Sequence, residues 1–155
     1  MGFGLPAAIG AKFGRPERRV VLFCGDGGFQ MTEQELGTIM EYGIGVKIVI
    51  LNNNFLGNVR QWQQLYFNRR YSQTLLKNPD FVTLAKAYGV KGEDVSSRQE
   101  LEEAIGRMFE NDDAYLLNVN IEPEDNVFPM ISPGEPVDKI LLNENDLLDL
   151  NIVQL

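Results

Sequence analysis

Residues 19–24, Arg-Val-Val-Leu-Phe-Cys, form a nearly continuous apolar run that stops at a glycine, and Val46 to Leu51 form a second, rich in β-branched residues. Runs of this length with no polar alternation offer no face to solvent, so they suit strands buried on both sides. Helical patterns lie before, between and after them. Residues 3–13 alternate apolar and small side chains, with Pro6 in the first turn, where a missing N–H costs little. Thr32, with Glu35 three residues on, has the form of a capping box for a helix that runs to Tyr42 and stops at Gly43. A further helix starts near Gly57 and carries Val59, Trp62 and Leu65.

Asp80 has the position of an N-cap for a helix with Phe81, Leu84, Ala85 and Tyr88 on one face and Gly89 at its end. Val90 to Val95 is a short strand, Ser97 and Glu100 open a helix that ends near Glu110, and Ala114 to Ile121 is another strand. Beyond Pro123 the chain reads as extended and looped. Strands separated by helices need crossover connections, which predicts an α/β fold: a three-layer α/β/α arrangement around a mostly parallel sheet.

The chain has 155 residues, enough for one domain, and 44% hydrophobic residues can supply its core. A net charge of −8 repels phosphate backbones and anionic lipid, so neither nucleic acid nor membrane is an expected partner. No apolar stretch reaches the length of a bilayer span. The start, Met1 to Pro6, has Pro6 where a myristoylation site needs Ser or Thr, and it lacks the basic leader of a signal peptide. The single cysteine, Cys24, gives no disulfide framework, favours a cytoplasmic setting and reads as a small buried hydrophobe. With no histidine, a Ser-His-Asp triad, a Cys-His pair and any histidine-ligated metal are excluded from these residues. Chemistry must come from carboxylates, backbone or a bound cofactor.

In parallel sheets ligands bind beyond the carboxyl ends of the strands. Two segments fall there: Gly25-Asp26-Gly27-Gly28 and Asn52 to Gly57. Each alone suits a plain polar turn. Together they offer more. The glycines let backbone N–H groups approach anionic oxygens. Asp26, an Asn53 amide oxygen and one loop carbonyl supply hard donors for magnesium, and two diphosphate oxygens and a water would complete an octahedron.

Gly25-Asp26-Gly27, followed one βα unit later by Asn52-Asn53, resembles the GDG-x-NN motif of thiamine-diphosphate enzymes. Met1-Gly2-Phe3-Gly4-Leu5-Pro6-Ala7-Ala8-Ile9-Gly10-Ala11, Phe29-Gln30-Met31-Thr32, Leu56 to Gln63 and Asn126-Val127-Phe128-Pro129-Met130 are similar to segments of acetolactate synthase large subunits. The resemblance implies that residues 1–143 are the C-terminal thiamine-diphosphate-binding domain, truncated at its N-terminal edge, with 144–155 a tail of no assigned role. It further implies magnesium ligation by Asp26, Asn53 and the Phe55 carbonyl. Cofactor contacts would come from Met1, Gly25, Asp26, Gly27, Gly28, Asn53, Phe55, Leu56, Gly57 and Asn58. Met1 would be the hydrophobe propping the bent cofactor, although an initiator methionine at a chain end is the plain alternative. Asn58 stands where many relatives carry methionine. Trp62 would select the second substrate; alternatively it forms a core stripe with Val59 and Leu65.

The family condenses two pyruvates, or pyruvate and 2-oxobutanoate, with loss of carbon dioxide in branched-chain amino acid biosynthesis. The activating glutamate comes from the pyrimidine-binding domain of a neighbouring subunit, so a homo-oligomer is implied and no catalytic residue is expected within this chain. FAD belongs to another domain of the full enzyme, and a regulatory small subunit is a further family partner. On this basis the isolated chain is expected to hold magnesium diphosphate weakly, to be inactive and, through uncovered apolar surface, to self-associate. The alternatives are the same domain of a pyruvate oxidase, glyoxylate carboligase or 2-oxo acid decarboxylase, and a non-catalytic α/β binding module.

Overall fold

The apolar runs become neighbouring strands. In the computed structural model, which describes residues 1–146, β1 (Val20–Gly25) pairs in parallel with β2 (Val46–Asn52) in a register that sets Gly25 beside Leu51. β4 (Tyr115–Asn120) lies on the other side of β2, and β3 (Lys91–Val95) pairs with β4, giving the order β1-β2-β4-β3 with all strands parallel. The described residues form two compact units: Met1–Asn54 with Leu76–Glu122, and Phe55–Leu75 with the chain from Pro123 onward.

The first unit holds the sheet. On one face, Leu22, Val46, Ile48, Ile50 and Leu116 pack with Leu5, Ala8 and Ile9 of α1 (Gly4–Gly14), Phe29 of α2 (Asp26–Gln30), Leu36 and Ile39 of α3 (Leu36–Tyr42), and Phe81 and Ala85 of α5 (Phe81–Ala87). On the other face Val49, Val95, Leu117 and Val119 pack with Ala104 and Met108 of α6 (Arg98–Met108). Helices on both faces make the three-layer α/β/α arrangement that the alternation predicts.

Local signals explain most boundaries. Asp80 accepts from the Thr83 N–H at 2.8 Å, and Ser97 and Glu100 form the reciprocal capping box. Gly43 ends α3 with φ +60°, a left-handed conformation that glycine adopts without strain.

Two expectations need correction. Thr32 does not cap a helix with its side chain: its hydroxyl donates instead to the Gly2 carbonyl at 3.0 Å, and Glu35 accepts from the Thr38 hydroxyl. The chain there passes through a short 3-10 turn, Glu33–Glu35, before α3 begins. Nor is Asp26-Gly27-Gly28 an open loop; these residues start α2 directly at the end of β1. Glycines are poor helix formers, but Phe29, 1% exposed, anchors this turn edge-on to Phe81 at 5.5 Å between ring centroids.

The second unit contains α4 (Gly57–Tyr66) and the antiparallel two-residue strands β5 (Met130–Ile131) and β6 (Ile140–Leu141), regular structure in a region expected only to be extended. Gln61 of α4 exchanges hydrogen bonds with the backbone of Val127 at 2.9 and 3.0 Å, and the Tyr66 hydroxyl donates to Ser132. The tail from 144 falls mostly outside the described residues.

Candidate functional site

β1 and β2 end together, so the residues that follow them emerge side by side. Asp26, 1% exposed, is the first residue of α2, and Asn52, 6% exposed, is the last of β2. A third residue joins them. The Asn78 side-chain nitrogen donates to Asp26 Oδ2 at 2.7 Å, to Asn52 Oδ1 at 2.8 Å and to Asn54 Oδ1 at 3.1 Å. Three oxygens from two motif segments therefore surround one nitrogen. Gln30 of α2 donates to Asn78 Oδ1, which keeps the amide nitrogen turned toward those oxygens. Leu76 N–H donates to the Asn54 carbonyl at 2.8 Å and so pins the segment that carries Asn78.

Asn53 lies between Asn52 and Asn54 and is half-buried. Asn54 has φ +59°, a left-handed conformation that asparagine tolerates better than most residues, and it turns the chain away from the strand. Asn52 Oδ1 also accepts from the Asn54 N–H at 3.2 Å, which closes that turn.

The donors here are carboxylate and amide oxygens, the set a hard cation takes. Cys24, one strand residue before Gly25, does not compete as a soft ligand. Burial, with the charge of Asp26 added, pushes its thiol up to about 12, so it stays protonated; the residue is half-buried rather than the fully buried hydrophobe expected. Among the described residues no three His, Cys, Asp or Glu side chains gather where a metal could sit. A site of one carboxylate with amide and carbonyl oxygens has no need of such a group, and the residues at these strand ends fit a hard divalent ion.

The other expected positions are distributed as follows. Gly25 closes β1, and Gly27 and Gly28 lie in α2. Met1 is 73% exposed and precedes Gly2, whose φ is +77° and whose ideal Cβ would lie 3.1 Å from the Met31 Cβ and 3.2 Å from the Thr32 Cγ2.

In the second unit Phe55 forms a bridge with Leu75, Leu56 N–H donates to Thr74 O at 2.8 Å, and Gly57 and Asn58 open α4. The buried guanidinium of Arg60 lies 4.8 Å from the Phe55 ring centroid and 4.7 Å from that of Tyr71, and it is paired with Glu124. Trp62 and Val59 are 46% and 45% exposed while Leu65 is 2% exposed, so the three do not make a core stripe. Trp62 stacks edge-on with Tyr66 instead and leaves much of its indole accessible.

Residues 1–119 match the family described as thiamine pyrophosphate enzyme, C-terminal TPP binding domain. The chain belongs to this family. It is 50% identical over 135 residues to the acetolactate synthase isozyme 2 large subunit of Escherichia coli K12, covering 86% of this chain and 25% of that protein. It is 42% identical over 154 residues to the acetolactate synthase large subunit of Lactococcus lactis, covering 96% of this chain and 27% of that one. A probable acetolactate synthase large subunit of Methanocaldococcus jannaschii is 47% identical over 135 residues, covering 86% of this chain and 23% of that one. The thiamine diphosphate-dependent 4-hydroxybenzoylformate decarboxylase of Rhodococcus jostii RHA1 superposes with a TM-score of 0.72 at 32% identity, covering 80% of this chain and 24% of that one. The chain thus spans about a quarter of the length of the relatives it matches.

Asn78 was not among the residues that sequence pointed to, and Gln30 entered only as part of the Phe29-Gln30-Met31-Thr32 resemblance, with no role of its own. Asn78-Pro79 reads as an ordinary turn start ahead of the Asp80 cap, and its partners lie 24 to 52 positions away. No helix among the described residues is long and apolar enough to cross a membrane.

Proposed function

We propose that this chain is the diphosphate- and magnesium-binding part of an acetolactate synthase, condensing two pyruvates, or pyruvate and 2-oxobutanoate, with loss of carbon dioxide. One observation carries the proposal: Asp26 and the asparagine segment after β2 share a single hydrogen-bonding partner at adjacent strand ends. Identities of 41–50% to acetolactate synthase large subunits favour that activity over the oxidase, carboligase and decarboxylase alternatives.

In this proposal Asp26, Asn53 and the Phe55 carbonyl hold Mg2+, and Gly25, Gly27, Gly28, Leu56, Gly57 and Asn58 line the cofactor with backbone. Met1 props the cofactor, and Trp62, accessible on α4, contacts the second 2-oxo acid. Thiamine diphosphate, when bound, supplies the carbon nucleophile and the electron sink that decarboxylation needs. The chain's own share is electrostatic and positional. Asp26 balances the cation's charge, and the glycines admit phosphate oxygens close to the backbone. The activating glutamate would come from a pyrimidine-binding domain of a neighbouring subunit in a homo-oligomer, FAD would sit in another domain, and a small regulatory subunit and a cytoplasmic setting complete the assignment.

Titration calorimetry of thiamine diphosphate with and without Mg2+ tests this. Heat that appears only with the metal and vanishes in Asp26→Asn supports the site; metal-independent binding, or none, leaves only a generic α/β binding module. Incubation of the 155-residue chain with pyruvate, cofactor and magnesium should yield no acetolactate. Robust formation would refute the division of labour between chains.

A further inference from the structure

Sharing three acceptors is unusual for a side-chain amide, because an NH2 group has only two hydrogens. The three oxygens lie 2.7, 2.8 and 3.1 Å from the Asn78 nitrogen, so one N–H must be split between two of them. A shared hydrogen bond is weaker than an undivided one, so the arrangement is not explained as the best local bonding of Asn78. It is explained by what the oxygens need. A carboxylate and two amide oxygens at this spacing repel one another unless a positive group sits among them.

We propose that Asn78 is a positioning residue for the cation, resting on the assignment of Asp26 and Asn53 as its ligands. Its amide holds Asp26 through one carboxylate oxygen, Oδ2. It also holds Asn52 and Asn54, the residues on either side of Asn53, and thereby fixes the segment that presents Asn53. Ligating carboxylates in metal sites are typically oriented by such outer partners, and removing one weakens metal binding by about 10- to 100-fold. The local chain prepares Asn78 for this task. Pro79 restricts its backbone to extended conformations, Leu76 is tied to the Asn54 carbonyl, and Gln30 sets the orientation of the amide. The first motif segment, the second and the stretch before Asp80 thus meet through one side chain.

The test compares the 155-residue chain with Asn78→Ala and with Asn120→Ala, a control beside Asn52 in the sheet whose amide donates to Ser96 and not to the Asp26, Asn52 or Asn54 side-chain oxygens. Mn2+ affinity is read from the free-ion electron paramagnetic resonance signal in the presence of saturating thiamine diphosphate, and melting temperatures are measured alongside. Asn78→Ala should weaken Mn2+ binding about 10- to 100-fold while Asn120→Ala leaves it unchanged. A purely structural role for Asn78 would lower the melting temperature and leave the affinity within twofold of wild type, which overturns the proposal. Should Asn78→Ala fail to fold, Asn78→Asp keeps the shape and the acceptor for Gln30 but sets a second carboxylate against Asp26. Its melting temperature should then rise with Mn2+ more than that of wild type, and an equal rise overturns the proposal. Failure of the wild-type chain to bind Mn2+ overturns the ligand assignment and this inference together, whereas failure confined to the Asn78 variants removes this inference alone.

Discussion

At the amino end of the parallel sheet a buried cation donates to backbone oxygens, whereas at the carboxyl end a buried carboxylate and two amide oxygens crowd a single amide nitrogen. Lys47, 2% exposed, reaches the carbonyls of Asn111 at 2.9 Å and of Asp113, just before β4. Burial lowers its pKa, and the carboxylates of Asp112 and Asp113 oppose that shift. Beside it Gly45 runs so close to Asp112 that an added Cβ would fall 1.8 Å from the carbonyl oxygen. A little farther along, Glu93 joins Arg107 at 2.7 Å and the Tyr115 hydroxyl at 2.7 Å. This end pairs its charges within the chain and stiffens the turn into β4. At the other end three side-chain oxygens share one amide nitrogen, with the Asn54 N–H as a further donor to Asn52. A polar cluster of paired charges stabilises a fold; oxygens that share a neutral amide are suited to receive something more positive.

Four substitutions probe that contrast, in order of falling effect on stability. Gly45→Ala should be the most damaging, beyond the roughly 1–3 kcal/mol of ordinary overpacking, because backbone rather than a flexible side chain must move. Urea unfolding would show it, and a change under about 1 kcal/mol would mean the turn yields easily. Lys47→Met should destabilise by about 1–3 kcal/mol, since two carbonyls lose a charged donor. A stabilised variant would mean that burying the ammonium outweighs its bonds.

Glu93→Gln should act through pH. The hydrogen bond from Arg107 holds this carboxyl below its ordinary 4.5, with Tyr115 adding to the effect against the opposing influence of burial. A depressed folded value means that the stabilisation is present above about pH 4.5 and fades as pH falls through the folded value. Wild type and variant should therefore differ at pH 7 and draw together as the pH falls below the ordinary glutamate range; a gap that does not narrow in acid breaks the assignment. Asp26→Asn, at the opposite end, should shift stability by less than about 1 kcal/mol while abolishing metal-dependent cofactor binding. A large loss of stability there would make the two ends alike.

What sequence made legible follows the range over which each cause acts. Both strands were readable from their apolar composition, but only β2 is buried on both sides as that composition suggested; β1 lies at the sheet edge and leaves Phe23 68% exposed. Asp80 and Ser97 were readable because a cap is satisfied within three residues. Thr32 had the same local form, yet a carbonyl 30 residues away claimed its hydroxyl. In α2 the poor helix propensity of two glycines was overridden by Phe29 packing on a helix that starts more than fifty residues later. At the candidate site, Asp26 and the asparagines were visible through motif spacing. Asn78 was not, because nothing in Asn-Pro-Asp announces three partners in two earlier segments. The strand order was equally hidden, since β4 enters between β2 and β3 and no local pattern records that.

That insertion dictates the sequence of assembly. Among the described residues β3 has no neighbour in the sheet other than β4, and β4 is the last of the four to leave a ribosome. Until residue 120 has emerged, β3 and α6 can form only as pieces beside an unfinished β1-β2 pair, and the sheet closes in one late step that bridges distant stretches of chain. A stop codon before β4 would therefore take away an inner strand of the sheet rather than its margin.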